Sequence, residues 1–357
     1  MSEMRALIAM SGGVDSSVAA LIMKNRGYEC VGCTMKLFDN EAIGLDKESS
    51  CCSTDDIMDA KAVAGKLGMP HYTLNFCEGF YESVMEPFAE NYMNGRTPNP
   101  CVECNRHLKF ERLYHKAIEL GCDKIVTGHY ARIEKTKEGY VLKKALDPAK
   151  DQSYVLYNLN QELLAHCSFP LGELDKEETR RIAEENGFIN ANKKDSQDIC
   201  FVPDGDYAAA VKRISKKESL PGDFVLMDGT IIGRHKGIIH YTIGQRRGLG
   251  IAYKESLYVV KIDVEKNLVY LGSNDDLFSR ELKAQDVNWI SGKIPDDDIR
   301  VSARVRYHGR EAAATLRFID EHTFRLIFDE AQRAITPGQA AVIYDGDTVL
   351  GGGTIIG

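Results

Sequence analysis

The chain has 357 residues, 43% of them hydrophobic and 27% charged, which is room for two or three domains with full apolar cores. Its formal net charge is −8, from 53 Asp and Glu against 45 Lys and Arg; this excludes a protein that coats nucleic acid indiscriminately, but not one with a local basic footprint. No apolar run reaches the roughly 18 residues needed to span a bilayer, and the opening MSEMRALIAM is too short an apolar run for a secretory signal, so a cytoplasmic protein with no membrane partner is expected.

Residues 5–10 read as a short buried strand ending in a glycine-rich turn, and 16–25 as a helix that Gly27 stops. A strand over 30–38 follows, then a helix over 54–67 with Thr54 as N-cap and Gly68-Met69-Pro70 as its stop. A strand at 71–75, helices over 80–93 and 108–120, and a strand at 124–127 continue the alternation. Repeated strand–helix units predict an α/β fold with a parallel sheet between helices. Helical patterning continues over 161–165 and 176–185. After Asp206 the texture changes to short β-rich runs at 224–227, 230–233 and 258–262, broken by Gly, Asp and Asn. From about Leu282 onward, runs at 301–307, 312–318, 323–328, 340–344 and 348–356 predict a small β-barrel.

The sharpest local signal is Met10-Ser11-Gly12-Gly13-Val14-Asp15-Ser16-Ser17, between a strand and a helix start. Free N–H groups and the helix dipole favour an anion there, and the glycines let backbone approach phosphate. Asp15 either holds Mg²⁺ or orients the loop. No Lys follows, so this is not the phosphate loop of kinases and GTPases. A tight turn without a ligand is the plain alternative. SGGVDSS resembles the loop of the ATP-pyrophosphatases, which cleave ATP between its α- and β-phosphates and adenylate a carbonyl-type oxygen. That resemblance implies an ATP site of Ala9, Met10, Ser11, Gly12, Gly13, Val14, Asp15 and Ser16, with Met35 and Gly128. Met35 reads equally well as core packing.

The chain has ten cysteines. Cys101 and Cys104 fall in Gly95-Arg96-Thr97-Pro98-Asn99-Pro100-Cys101-Val102-Glu103-Cys104, read as a rigid non-helical loop with a helix beginning just after it. A nearby helix N-terminus and basic neighbours lower a thiol pKa. Cys200, in KKDSQDICF, also has positive neighbours. Cys30, Cys33, Cys77, Cys122 and Cys167 read as small buried hydrophobes. Cys30 and Cys33 lie three apart on a predicted strand and face opposite ways, which suits neither a metal nor a disulfide. Cys51 and Cys52 fall in a polar loop with no assigned role.

Seven segments in order, AMSGGVDSSVAA, GRTPNPCVECNRHLKF, VTGHYARI, KDQSYVL, SQDICFVPDGDY, GRHKGIIHYTIGQRRGLG and TPGQAAVIYDGD, are together similar to the tRNA-specific 2-thiouridylase family. The resemblance spans essentially the whole chain. It implies a catalytic domain over 1–203, a β-rich central domain over 204–280 and a barrel over 281–357. It also implies that ATP adenylates the C2 oxygen of the wobble uridine in the tRNA anticodon stem-loop. A persulfide donor protein, such as a cysteine desulfurase or a relay protein, then loads Cys200, and Cys104 acts as the second thiol, leaving a Cys104–Cys200 disulfide. His129, Lys150, Asp151, Gln152, Arg306, Tyr307 and Gln339 match family positions that contact tRNA. Many members carry Asp where this chain has Cys101. Cys101 therefore stands either in that acid–base role or, with Cys104 and Cys200, as a ligand of a [4Fe–4S] cluster; persulfide chemistry is the favoured reading. The alternative function is another ATP-pyrophosphatase ligase or amidotransferase acting on a small metabolite. Basic groups at Lys212, Arg213, Lys216, Lys217, Arg234, Lys236, Arg246 and Arg247 read singly as solvated charge and together as a salt-sensitive footprint.

Overall fold

The computed structural model describes residues 4–39, 54–194 and 198–357. Cys51 and Cys52 lie outside the described residues. Strands β1 (Arg5–Ala9), β2 (Glu29–Lys36), β3 (His71–Asn75) and β4 (Lys124–Val126) alternate with helices from α1 (Val14–Asn25) and α2 (Thr54–Lys66) onward. With β7 (Cys167–Ser168) the four strands form a wholly parallel sheet in the order β3-β2-β1-β4-β7. Both faces of the sheet are buried. Ala6 and Ile8 of β1 enter one apolar cluster and Leu7 enters another, as strand alternation requires. Chain order reverses on either side of β1, which puts the ligand crevice at the ends of β1 and β4.

The helix carrying Cys101 and Cys104 starts earlier than the sequence suggests. Helix α5 (Pro100–Glu103) has Pro100 in its first turn and Asn99 as N-cap, its side chain accepting from the Cys101 amide at 3.1 Å. It runs straight into a π-helical stretch (Cys104–Arg112) and then α6 (Leu113–Glu119). Pro100 therefore begins the helix, while residues 96–99, Pro98 among them, stay irregular. The 80–93 helix is likewise interrupted: α3 (Cys77–Phe80) and α4 (Glu86–Met93) flank π-helical Tyr81–Met85.

Two elements were hidden in the sequence. The hairpin β5 (Ala131–Lys135) and β6 (Tyr140–Lys144) leaves the parallel sheet and pairs with the barrel, and the helix α9 (Tyr207–Ser215), capped by Asp206, opens the segment read as β-rich. Strands β8 (Gly222–Leu226), β9 (Ile231–His235), β10 (Tyr258–Asp263) and β11 (Leu268–Gly272) form a small separate sheet. The barrel comprises β12 (Phe278–Trp289), β13 (Ile299–Arg304), β14 (Ala312–Asp320), β15 (Thr323–Arg333), β16 (Ala340–Asp345) and β17 (Thr348–Ile355). It is antiparallel throughout and closed by β12 against β17. Closure removes the exposed sheet edges. Among the described residues no helix is long and apolar enough to cross a membrane.

Candidate functional site

The loop after β1 is built for an anion. Gly13 caps α1 with an extended backbone and no side-chain cap, so the first-turn N–H groups face the end of β1. The Ser16 and Ser17 hydroxyls both donate to the Gly13 carbonyl, at 3.1 and 3.0 Å, and Ser16 Oγ also accepts from the Ser11 amide at 3.2 Å. Gly12 has φ +78°, and a Cβ there would lie 2.3 Å from the Asp56 carbonyl oxygen at the start of α2. Gly128, in the turn after β4, is equally confined: its Cβ would meet the Ser16 amide nitrogen at 2.8 Å and the Asp15 carbonyl carbon at 2.9 Å. The two loops thus touch backbone to backbone at the switch point. Ala9 and Met10 end the strand, and Met35 is half-buried at the end of β2, packed against two apolar clusters.

Four side chains that sequence reasoning missed fix this loop. Lys176, on α8 (Lys176–Glu185), donates to both Asp15 oxygens at 2.7 and 2.8 Å. The Tyr130 hydroxyl donates to Asp15 at 2.9 Å. Asn190 Nδ2 donates to the Gly12 carbonyl and to Ser17 Oγ, both at 2.9 Å, while Lys193 bridges Asp56 at 2.5 Å and Asp59 at 2.7 Å. The loop lacks its own lysine, and the fold supplies cations from far along the chain; no local motif announces them.

Asn190 and Lys193 precede Cys200 in the chain. Beyond them Phe201 is fully buried, its ring edge-on to Phe80 at 5.7 Å and to Phe88 at 5.1 Å. Cys104 is buried in the same apolar cluster, and half-buried Cys200 packs against it. The fold therefore gathers these two cysteines into one cluster. Cys101 is exposed at the start of α5. It lies within electrostatic reach of the Tyr207 and Tyr307 hydroxyls; burial chiefly raises both of their pKa values, with Cys101 adding to the rise. Among the described residues no group of three or more His, Cys, Asp and Glu side chains is arranged to hold a metal ion.

The remaining described cysteines are packing groups. Burial pushes the Cys30 thiol up to about 11 and the Cys33 thiol up to about 12, and raises Cys77, Cys122 and Cys167 as well. Thiols so raised stay protonated at neutral pH and are poor nucleophiles. Cys30 and Cys33 lie in clusters on opposite faces of the sheet, as their spacing predicts.

The expected tRNA contacts are less uniform. His129 is buried between Phe110 and Phe169, hydrogen-bonded to Thr127 at 2.7 Å, and burial followed by Lys109 holds its imidazole well below 6.5. Asp151 is buried and accepts from Arg304 and Ser153 within the protein. Arg306 is exposed, and Lys150, Gln152, Tyr307 and Gln339 are half-buried. Gln152 accepts from the Tyr130 amide at 3.0 Å, which ties it to the phosphate loop through Tyr130. Gln339 donates to the Thr97 carbonyl at 2.7 Å and the Thr97 amide donates to the Pro337 carbonyl at 2.9 Å, so the barrel clamps the lead-in to the Cys101 helix.

Comparison with known proteins matches this architecture along the chain. Residues 4–204 match the "tRNA methyl transferase HUP domain", 210–273 the "tRNA methyl transferase PRC-barrel domain" and 279–355 the "Aminomethyltransferase beta-barrel domain". The tRNA-specific 2-thiouridylase MnmA of Clostridioides difficile (strain 630) is 50% identical over 98% of each chain. Its counterpart in Acetivibrio thermocellus is 48% identical over 99% of this chain and 100% of its own, and that of Clostridium kluyveri is 45% identical over 98% and 99%. The chain belongs to the tRNA-specific 2-thiouridylase family.

Proposed function

We propose that this chain is an ATP-dependent tRNA-uridine 2-sulfurtransferase that converts the wobble uridine of tRNA into 2-thiouridine, releasing AMP and pyrophosphate. One observation carries the reading. Asn190 and Lys193 are hydrogen-bonded to the loop after β1, and Cys200, which follows them in the chain, packs against the apolar cluster that holds Cys104. Nucleotide chemistry and sulfur chemistry are thereby joined by one short stretch of chain.

The uracil C2 oxygen is a poor leaving group. It attacks the α-phosphorus of ATP, the bond to the β-phosphate breaks, and pyrophosphate leaves into the N–H groups of residues 11–17. The terminal sulfur of a Cys200 persulfide, loaded by a donor protein, then bonds to C2 and AMP departs. Cys104 attacks the Cys200 sulfur, the S–S bond breaks and the sulfur stays on the base. A Cys104–Cys200 disulfide remains, which an external thiol must reduce before the next turnover. Were Mg²⁺ to accompany the ATP phosphates it would supply charge neutralisation there; Asp15, whose two oxygens accept from Lys176 and one also from Tyr130, would meet it only by giving up part of that contact and otherwise orients the loop. Cys101, exposed at the start of α5, is the proton-transfer group beside the base. No step runs through an iron–sulfur cluster, and anaerobically purified, iron-free protein should retain full activity.

Cys104→Ser and Cys200→Ser test the assignment in two assays. Each should abolish thiolation while tRNA-dependent exchange of pyrophosphate into ATP persists. A variant that still thiolates would remove its cysteine from the reaction.

A further inference from the structure

A buried ionic network lies at the seam between the catalytic domain and the barrel. Arg304 of β13 donates to Asp151 at 3.0 Å and, through two nitrogens, to Glu311 at 3.2 and 2.9 Å. Glu311 is shared with Lys144 of β6 at 2.6 Å and with Ser302 at 2.8 Å. Asp151 also accepts from the Ser153 hydroxyl at 3.0 Å and from the amides of Ala145 and Ser153 at 3.1 and 3.2 Å. The Asp151 side chain is 2% exposed and that of Arg304 16%. Arg304 and Lys144 lie over the ring of fully buried Tyr344, at 5.1 and 4.6 Å.

Such a network is a poor way to gain stability alone. An apolar seam of equal volume is usually as stable, because buried charges lose their hydration. A directional network, however, fixes one relative placement of the parts it joins. Here the parts are two turns. One holds Lys150 and Gln152 on either side of Asp151; the other holds Arg306 and Tyr307, two and three residues beyond Arg304. The Tyr307 ring meets Tyr154 edge-on at 5.8 Å across the same seam.

We propose that Arg304 is the positioning residue that locks these two turns together through Asp151 and Glu311, so that their outer side chains meet one tRNA as a single preformed surface. Asp151 then serves tRNA binding from inside the protein, without touching the nucleic acid. The proposal rests on the tRNA reading above.

The test uses the full-length chain and an unmodified transcript of a wobble-uridine tRNA. Arg304→Gln should raise the KM for the transcript about tenfold, the effect of misplacing one or two contacts, and change the KM for ATP less than about twofold. Asp151→Asn combined with Arg304→Gln should raise it no further, since both act through one contact. Glu311→Gln keeps the Arg304–Asp151 bond and is the milder variant should Arg304→Gln not fold; it should raise the transcript KM by roughly threefold. A lower melting temperature with an unchanged transcript KM in the folded variants would make the network structural only and overturn the proposal. Wild-type protein that fails to bind the transcript would overturn the tRNA reading and this inference together.

Discussion

Gly128→Ala is the sharpest single perturbation of the proposed ATP site. The added Cβ would sit 2.8 Å from the Ser16 amide nitrogen, where ordinary contact begins at 3.4 Å. The turn after β4 and the phosphate loop must therefore part by roughly 0.6 Å, the difference between those distances. Both sides are backbone, so no rotamer change relieves the overlap. Overpacking of this kind costs about 1–3 kcal/mol of stability. A misplacement near 1 Å costs on the order of a hundredfold in rate, so about tenfold or more is expected here. The assay is tRNA-dependent exchange of labelled pyrophosphate into ATP, with melting followed in parallel. Gly65→Ala is the control: Gly65 lies in α2, a Cβ there meets nothing within 4 Å, and the change should be neutral or stabilising by about 0.5–1 kcal/mol. Exchange at the wild-type rate in folded Gly128→Ala would refute the close-packed loop as the site of adenylation.

Lys176→Met leaves the Asp15 carboxylate without its ion-pair partner and should lower stability by about 1–3 kcal/mol, and Asp15→Asn in the same chain should recover part of that in a double-mutant cycle on melting. Stability should also fall below neutral pH. Burial chiefly holds His129, His71, His235 and His240 below their ordinary 6.5, so below that pH the unfolded chain binds protons that the folded chain does not. Their contribution is complete above about 6.5 and is lost progressively below it. His107, raised chiefly by its hydrogen bond to Glu103, opposes this as a single group. A melting temperature that stays flat or rises from pH 7 to pH 5 would show that buried neutral histidines do not govern acid stability.

Much of the catalytic domain was legible because its signals are local. The β1–loop–α1 unit is announced by an apolar run, two glycines and a helical pattern, and the opposed faces of Cys30 and Cys33 follow from strand geometry alone. The early start of α5 is not legible from proline content, because Pro100 after a capping Asn99 begins a helix where a proline elsewhere would break one. Helix α9 is obscured because it is short, nine residues after a capping Asp206, and stands at the head of strand-rich sequence. What was not legible is long-range. Lys176 reaches Asp15, and Arg304 reaches Asp151, across more than a hundred residues each. The β5–β6 hairpin joins a barrel whose strands lie far beyond it in the chain, and no periodicity within 131–144 reports that partner.

The central claim is tested most directly by digesting unmodified wobble-uridine tRNA after incubation with the protein, ATP and a persulfide donor, and weighing the anticodon nucleosides. Wobble uridine should become heavier by the difference between one sulfur and one oxygen atom, with ATP and the donor both required. An unchanged mass under these conditions, or sulfur appearing at another position, would contradict the account.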